Sequence, residues 1–275
     1  MASVRSFVAS RFALDGGAMH GIVPRAAWER VHPADAQHRI ALAARVLVIE
    51  DVRHGFRALV DAGLGAAWSA KDRERYALTS APPLREALTI AGLDPSSITH
   101  VLATHLHWDH AGGLVDEASE LTLPDAEVLV SARALAHARR ATLRDAGSFR
   151  DDVVRAVSSH ARLTVIDDAA TSPLPGVELR VSDGHTPGLL IPIVLDERTG
   201  RRIAAPTDLL PTRSHVKAAW VTGYDLAPAR AAEEKQDLVR ELAREGGGVS
   251  LYHDAEFELA WFSEDADGAI HTTLG

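Results

Sequence analysis

The strongest chemical signal in the sequence is the segment His105–His110 (HLHWDH), which holds three histidines and one aspartate. Residues two apart point the same way in extended backbone, so His105 and His107 can hold one cation between them. Asp109 and His110 follow past the expected bend and are placed for a second position nearby. The AGG that comes next is expected to allow a tight turn. The spacing therefore predicts a metal site with two neighbouring positions.

Three later segments each offer one further ligand at the end of an expected strand. His185 lies in GHTPG, Asp208 in PTD and His253 in LYHD. A lone histidine at a strand end is more often structural than functional. Together with the first motif, however, these segments give five histidines and two aspartates. Imidazole and carboxylate groups are ligands of Zn²⁺ and similar divalent ions, so the set predicts a metal site.

The elements that must position these residues are short apolar strands and a few helices. Strands are expected at 45–49, 56–61, 98–104, 127–131, 177–182, 189–195, 202–205, 249–252 and 257–262. Helices are expected at 82–91, 132–140 and 229–245. The strands fall into two groups, which favours a layered α/β fold over strict βαβ alternation. Because the sequence has no long linker or repeat, we expect one domain spanning residues 1–275.

Composition excludes several functional classes. The 275 residues include no cysteine, which rules out disulfides, thiolate metal sites, iron–sulfur clusters and cysteine nucleophiles. A net charge of −9 and the lack of a Lys/Arg run argue against a nucleic-acid partner. No apolar run approaches the roughly 18 residues of a membrane span, so no membrane partner is expected. The N-terminus lacks a secretory apolar segment, which predicts a cytoplasmic location. The oligomeric state is left open.

These residues, in this order and spacing, resemble the metallo-β-lactamase superfamily of metallohydrolases. The matching segments are DAGLG with Asp61, THLHWDHAGG at 104–113, DGHTPG at 183–188, Asp208 and His253. The resemblance implies an α/β fold, an αββα sandwich with a binuclear metal cleft at one edge of the sheets. It implies that one metal is held by His105, His107 and His185, a second by Asp109, His110 and His253, and that Asp208 bridges the two. Asp61 would support the motif loop from behind the ligands.

Two flanking segments resemble the quorum-quenching lactonase-like branch of that superfamily, in the neighbourhood of methyl parathion hydrolase-like enzymes. They are residues 14–33 and residues 208–262. True metallo-β-lactamases fit poorly, because one group needs a cysteine ligand and another lacks the bridging aspartate. The chain departs from the best-known lactonases at Pro211, where they place a tyrosine that helps to stabilise the oxyanion. Tyr224 and His215 are therefore the candidates to donate that hydrogen bond.

The resemblance thus implies a binuclear metallohydrolase that opens lactones, with N-acyl homoserine lactones as candidate substrates, by attack of a metal-bridging hydroxide. The expected cofactors are two divalent ions, Zn²⁺ in the first place, with Mn²⁺, Co²⁺ or Fe²⁺ as alternatives. Asp109 would also move the proton to the leaving group. The alternative is an arylesterase or phosphotriesterase on the same metals. A non-enzymatic metal-binding protein is less favoured, because a bridging carboxylate is more than a closed structural site needs.

Overall fold

Two six-stranded sheets lie at the centre of the computed structural model, which describes residues 2–167 and 172–275. The first sheet has its strands in chain order: β1 (Ser3–Asp15), β2 (Arg39–Asp51), β3 (Phe56–Val60), β4 (His100–Leu102), β5 (Glu127–Ser131) and β6 (Leu163–Ile166). The second sheet also has its strands in chain order from one edge to the other: β7 (Val177–Ser182), β8 (Leu189–Asp196), β9 (Arg201–Ala204), β10 (Gly248–Ser250), β11 (Leu259–Glu264) and β12 (Ile270–Leu274).

Helices connect the strands and cover the outer faces of the sheets. They are α1 (Gly16–His20), α2 (Arg25–Trp28), α3 (Ala70–Arg75), α4 (Leu84–Ile90), α5 (Trp108–Ala111), α6 (Ala132–Ala138), α7 (Asp151–Ser159) and α8 (Pro228–Glu245). Short 3₁₀ turns lie at Pro95–Ser97, Gly112–Leu114, Ala146–Ser148, Thr207–Leu209 and Arg213–Val216. Within 2–167 and 172–275, none of the helices has the length and apolar character that crossing a membrane requires.

The apolar run in β2 explains how the layers form. Val46 and Val48 pack on the side of α4, α6 and α7, whereas Leu47 and Ile49 pack between the two sheets. A strand buried on both faces needs an apolar residue at every position, and VLVI at 46–49 supplies it.

The second sheet repeats this arrangement in β8. Leu190 faces the first sheet, and Leu189 and Ile191 pack with Leu238 and Leu242 of α8 on the outer side. The layers are therefore helices, sheet, sheet and helix, which confirms the αββα fold class.

Several elements differ from the sequence-based expectation. The strand expected at 98–104 is confined to His100–Leu102, because the Thr104 amide donates to the Asp61 carboxylate and not to a neighbouring strand. Three strands and five helices of the described residues were not expected: β1, β6, β12, α1, α2, α3, α5 and α7. The register of β1 against β2 shifts between Val8 and Ser10, which interrupts the alternation by which a strand is recognised. Most residues of β12 are exposed, so that strand has little apolar pattern.

The sheets bring the chemical motifs to one edge. Asp61 follows β3 and the motif at 105–110 follows β4, and these two strands are parallel. Asp208 follows β9 and His253 follows β10, which are also parallel, while His185 lies between β7 and β8. Because parallel strands end at the same edge, these loops meet there.

The two glycines after the motif are needed for close approach. Gly112 has φ −59° and ψ −33°, which any residue adopts, so the expected tight turn is not the reason for a glycine here. A Cβ at Gly113 would lie 2.1 Å from the Ala62 carbonyl oxygen, and one at Gly112 would lie 2.4 Å from the Leu64 carbonyl oxygen. The motif loop is therefore held directly against the backbone that follows β3.

We expect Gly113→Ala to lower the free energy of unfolding by about 3 kcal/mol or more, because the backbone carbonyl that it meets cannot move aside. Denaturant unfolding checks this. Gly147→Ala is the matched control, since a Cβ there meets nothing within 4 Å. Equal stability of the two variants would contradict the close-approach explanation.

Candidate metal centre

Seven side chains converge in two groups at the edge of the sheets. His105, His107, His185 and Asp208 form one group, and Asp109, His110 and His253 form the other. Within each group the ligand atoms lie within 4.8 Å of one another. All seven residues are at most 9% exposed. The structure thus brings together every residue that the sequence analysis named as a metal ligand.

Asp208 lies between the two groups and turns one oxygen to each. Its Oδ2 is 3.1 Å from His185 Nε2 and 3.8 Å from His105 Nε2. Its Oδ1 is 3.1 Å from His110 Nε2 and 3.0 Å from His253 Nε2. This geometry suits a carboxylate that binds two ions at once.

Protein groups behind the centre fix the orientation of its histidine rings. Three of the candidate ligand histidines donate from Nδ1 to an acceptor on the far side: His110 to Asp61 Oδ2, His185 to Asp225 Oδ1 and His253 to the Ala43 carbonyl, each at 2.8 Å. A carboxylate or carbonyl oxygen can only accept, so Nδ1 carries the proton and Nε2 points its lone pair to the centre.

These orientations require positive charge in the centre. His107 Nδ1 lies 3.2 Å from His185 Nε2, and His110 Nε2 lies 3.2 Å from His253 Nε2. Because His110 and His253 both donate from Nδ1 to oxygen atoms, their Nε2 lone pairs face each other and repel unless a proton or a metal cation lies between them. His105 Nε2 is also buried and has no hydrogen-bond partner among the described residues. A donor set of imidazole nitrogens and carboxylate oxygens therefore fits divalent transition metals.

Without a metal, protons supply part of that charge. Burial lowers the pKa of His185, but the carboxylates of Asp208 and Asp225 outweigh it and raise the pKa to about 10. Burial also opposes protonation of His110, yet Asp208 and Asp61 raise its pKa well above the ordinary value. In contrast, burial lowers the pKa of His105 and of His107. Metal binding must then displace protons and depends on pH.

Asp61 links the two groups. Its carboxylate accepts from His110, from the Thr104 amide at 2.8 Å and from the Thr104 hydroxyl at 2.9 Å. Because the Thr104 hydroxyl donates to Asp61, it accepts from His105 Nδ1, 3.0 Å away. Asp61 therefore orients one histidine of each group. It does so from a left-handed backbone conformation, with φ 63°.

Sequence reasoning missed Asp225, which holds His185. Asp225 also accepts from the amide and the hydroxyl of Thr222, both at 2.9 Å, and is 3% exposed. It lies 40 residues from His185 in a loop, and an aspartate in a loop has no spacing that marks it. A single sequence therefore carries no signal for this pair.

An open cleft of about 220 Å³ leads to the centre. Five of the seven ligand residues reach its surface: His107, Asp109, His185, Asp208 and His253. The other lining residues are Leu14, Met19, Arg75, Tyr76, Trp108, Gly147, Ser148, Pro211, Thr222 and Tyr224.

Tyr224, one of the two expected oxyanion donors, lies in the cleft wall. Burial, followed by the charge of Asp109, raises the pKa of Tyr224 to about 12. Its hydroxyl is therefore protonated at neutral pH and able to donate. Pro211 also lines the cleft, and its carbonyl accepts from the His253 amide at 2.9 Å.

The structure does not bring His215 to the cleft. This residue is fully buried, and both ring nitrogens are engaged, Nε2 with the Met19 carbonyl and Nδ1 with the Thr212 hydroxyl, each at 2.8 Å. Its ring stacks against His20 at 5.1 Å. The expectation that His215 stabilises an oxyanion was based on its nearness to Asp208 in sequence, and these contacts argue against it. His215 instead fixes Met19 and the segment after Pro211, both parts of the cleft wall.

Aromatic rings form part of the cleft wall and the packing behind it. Trp108 lies between the ligands His107 and Asp109 in sequence, and its ring packs 4.9 Å from Tyr76 and 5.1 Å from Trp68. Phe12 packs against Trp108 at 5.8 Å. Trp108 therefore anchors an apolar part of the cleft wall.

Comparison with known proteins identifies relatives of the whole arrangement. A family model described as "Metallo-beta-lactamase superfamily" matches residues 41–253. No curated protein sequence matches the chain. Among solved structures, a probable metal-dependent hydrolase from Staphylococcus aureus is 25% identical, with a TM-score of 0.88 over 100% of this chain and 97% of that one.

Two further solved structures are more distant in sequence. AidC, described as a dizinc quorum-quenching lactonase in complex with a product, is 17% identical, with a TM-score of 0.79 over 99% of this chain and 94% of its own. An N-acyl homoserine lactone hydrolase with N-hexanoyl-L-homoserine at its catalytic metal centre is 18% identical. Its TM-score is 0.70 over 92% of this chain and 93% of that one.

Replacing Asp225 and replacing Asp208 should weaken metal binding to different extents. Asp225→Ala releases only His185, so we expect affinity to fall about 10–100-fold at one of the two groups. Asp208→Ala removes an oxygen from both groups and leaves two cations facing each other without the charge between them, so binding should weaken at both. Metal titration followed by elemental analysis measures the two effects.

Asp51→Ala is the matched control, because Asp51 is also a buried aspartate, paired with His54 at 3.0 Å at the opposite end of β2 and β3. We expect it to keep the metal affinity of the wild type. Full metal content in Asp208→Ala would show that this carboxylate is not a bridge.

Proposed function

The chain belongs to the metallo-beta-lactamase superfamily, and on that premise we propose that it hydrolyses small lactones, N-acyl homoserine lactones among them. The observation that carries the proposal is Asp208, whose two oxygens face two ligand groups at the base of an open cleft. The lactone-specific part draws support from the two distant neighbours described as lactone hydrolases.

We propose that His105, His107 and His185 hold one divalent ion, that Asp109, His110 and His253 hold the other, and that Asp208 contacts both. Such a pair of ions, Zn²⁺ in the first place, supplies an activated hydroxide at neutral pH and polarises the substrate carbonyl. A structural site is closed by its protein ligands, whereas here five ligand residues open onto the cleft, which favours a catalytic site over a storage or structural one.

Two residues of the chain act on the substrate in this proposal. The Tyr224 hydroxyl donates a hydrogen bond to the oxygen that gains charge as the ring opens. The Asp109 carboxylate, which lines the cleft with Oδ2 3.5 Å from His253 Nε2, moves a proton to the departing alkoxide.

The size of the cleft restricts the substrate. Ligand pockets for drug-sized molecules enclose about 300–1,000 Å³, and this cleft encloses about 220 Å³. A lactone ring with a short acyl group fits that volume, whereas a longer acyl chain would extend beyond the cleft. We therefore propose a preference for short-chain substrates.

Aryl esters are the second candidate substrate class. The Tyr76 and Trp108 rings line the cleft beside the proposed metal ligands, and aromatic groups pack well against such rings. Phosphotriesters with an aryl leaving group could pack against the same rings.

We expect the metal-loaded protein to hydrolyse N-butanoyl-L-homoserine lactone with a higher kcat/KM than 4-nitrophenyl acetate or methyl paraoxon. Chelation should abolish the activity, and added Zn²⁺, Mn²⁺ or Co²⁺ should restore it. Faster turnover of the aryl ester or the phosphotriester would favour the second candidate, and activity that survives complete metal removal would contradict both.

Replacing the proposed oxyanion donor tests its role directly. We expect Tyr224→Phe to lower kcat on the lactone at least about 10-fold with little change in KM, because the hydrogen bond strengthens in the transition state. His215→Ala should mainly lower the melting temperature, since it leaves the Met19 carbonyl and the Thr212 hydroxyl unpaired in the core. Unchanged kcat in Tyr224→Phe, with an altered substrate preference, would show that Tyr224 only shapes the cleft.

A further inference from the structure

Arg75 is the one arginine or lysine among the described residues that line the cleft. It is the last residue of α3 and is exposed at the mouth of the cleft. Its guanidinium carbon lies 5.4 Å from the centre of the Tyr76 ring. The proposed hydrolysis assigns no role to this charge.

Helix capping and ion pairing do not account for Arg75. An arginine in the last turn of a helix is favourable with the helix dipole, but Arg73 in the same turn already fills that position and donates to the Ala66 carbonyl at 2.8 Å. Within residues 2–167 and 172–275, no hydrogen bond or ion pair engages the Arg75 guanidinium. Its donors therefore remain available to a ligand.

The ring beneath Arg75 is held in place by the motif. Tyr76 packs against Trp108 at 4.9 Å and against Trp68 at 5.9 Å. A guanidinium over a fixed aromatic face is restricted in orientation, which lowers the entropy lost when it binds an anion. Trp108 lies between His107 and Asp109 in the chain. The contact between the Tyr76 and Trp108 rings therefore fixes the position of the Arg75 guanidinium relative to the candidate metal centre.

We propose that Arg75 recognises a carboxylate at the end of the substrate remote from the bond that is cleaved. The inference rests on the proposed function and narrows it to small lactones or esters that carry a terminal carboxylate. The planar guanidinium fork matches a carboxylate. A single positive charge balances the one negative charge of a carboxylate, whereas it would leave half of the charge of a dianionic phosphate without a partner.

The test compares two lactones of equal length, N-succinyl-L-homoserine lactone and N-butanoyl-L-homoserine lactone, which differ by a carboxylate in place of a methyl group. In the wild type we expect a higher kcat/KM for the succinyl compound. Arg75→Gln should lower that value about 5-fold or more, mainly through KM, and leave the butanoyl compound within about 2-fold. Arg75→Lys should retain part of the preference, because it keeps the charge and loses the fork.

Lys71→Gln is the matched control, since it removes one positive charge from an exposed position of α3 outside the cleft. We expect it to leave the ratio between the two lactones unchanged. If Lys71→Gln lowers the succinyl rate as much as Arg75→Gln, or if Arg75→Gln affects both lactones equally, the inference is overturned.

A second pair of substrates separates this inference from the lactonase proposal. If the wild type hydrolyses neither lactone, the comparison is repeated with mono(4-nitrophenyl) succinate and 4-nitrophenyl butyrate. A preference for the succinate that Arg75→Gln abolishes would uphold carboxylate recognition while the lactonase proposal fails. Absence of turnover on all four substrates would overturn both.

Discussion

Mutual repulsion among buried donor atoms is the constraint on which the rest of this structure depends. Seven side chains point nitrogen and oxygen atoms into one buried region, with two pairs of imidazole nitrogens at 3.2 Å. Such an arrangement is costly unless cations fill it. The groups behind the centre, Asp61, Asp225 and the Ala43 carbonyl, prevent the rings from turning away from one another. These three groups lie outside the two ligand groups, and they hold the rings in an arrangement that suits metal ions.

The two sheets make this convergence possible by ending together. Parallel pairs β3–β4 and β9–β10 deliver Asp61, the motif, Asp208 and His253 to one edge from opposite layers of the sandwich. Side-chain size then sets how closely the loops approach, and at Gly113 only a hydrogen atom fits below the Ala62 carbonyl. The same motif also lines the cleft through Trp108. The candidate metal ligands and part of the cleft wall therefore lie on a single loop.

The ligands could be predicted because their chemistry demands particular residue types at short spacing, and the strands of the core could be predicted because they are apolar on both faces. Other features carry no local signal. Asp225 acts on a residue 40 positions away, and β1 loses its alternation at a register shift. His215 is close to Asp208 in sequence, but the turn at Arg213–Val216 directs it into the core. Sequence reasoning identified the candidate ligands more readily than the contacts that hold them in place.

At Asp61, the residue that would best stabilise the backbone differs from the residue that best orients the candidate metal ligands. Glycine would relax the backbone at φ 63°, since only a residue without a Cβ adopts that conformation freely. The same change would remove the carboxylate that orients His110 directly and His105 through Thr104. Evolution toward greater thermostability and evolution toward tighter metal retention therefore favour different residues here. Engineering this scaffold for heat resistance should leave position 61 untouched and seek its gains in the exposed strand β12 and the outer helices.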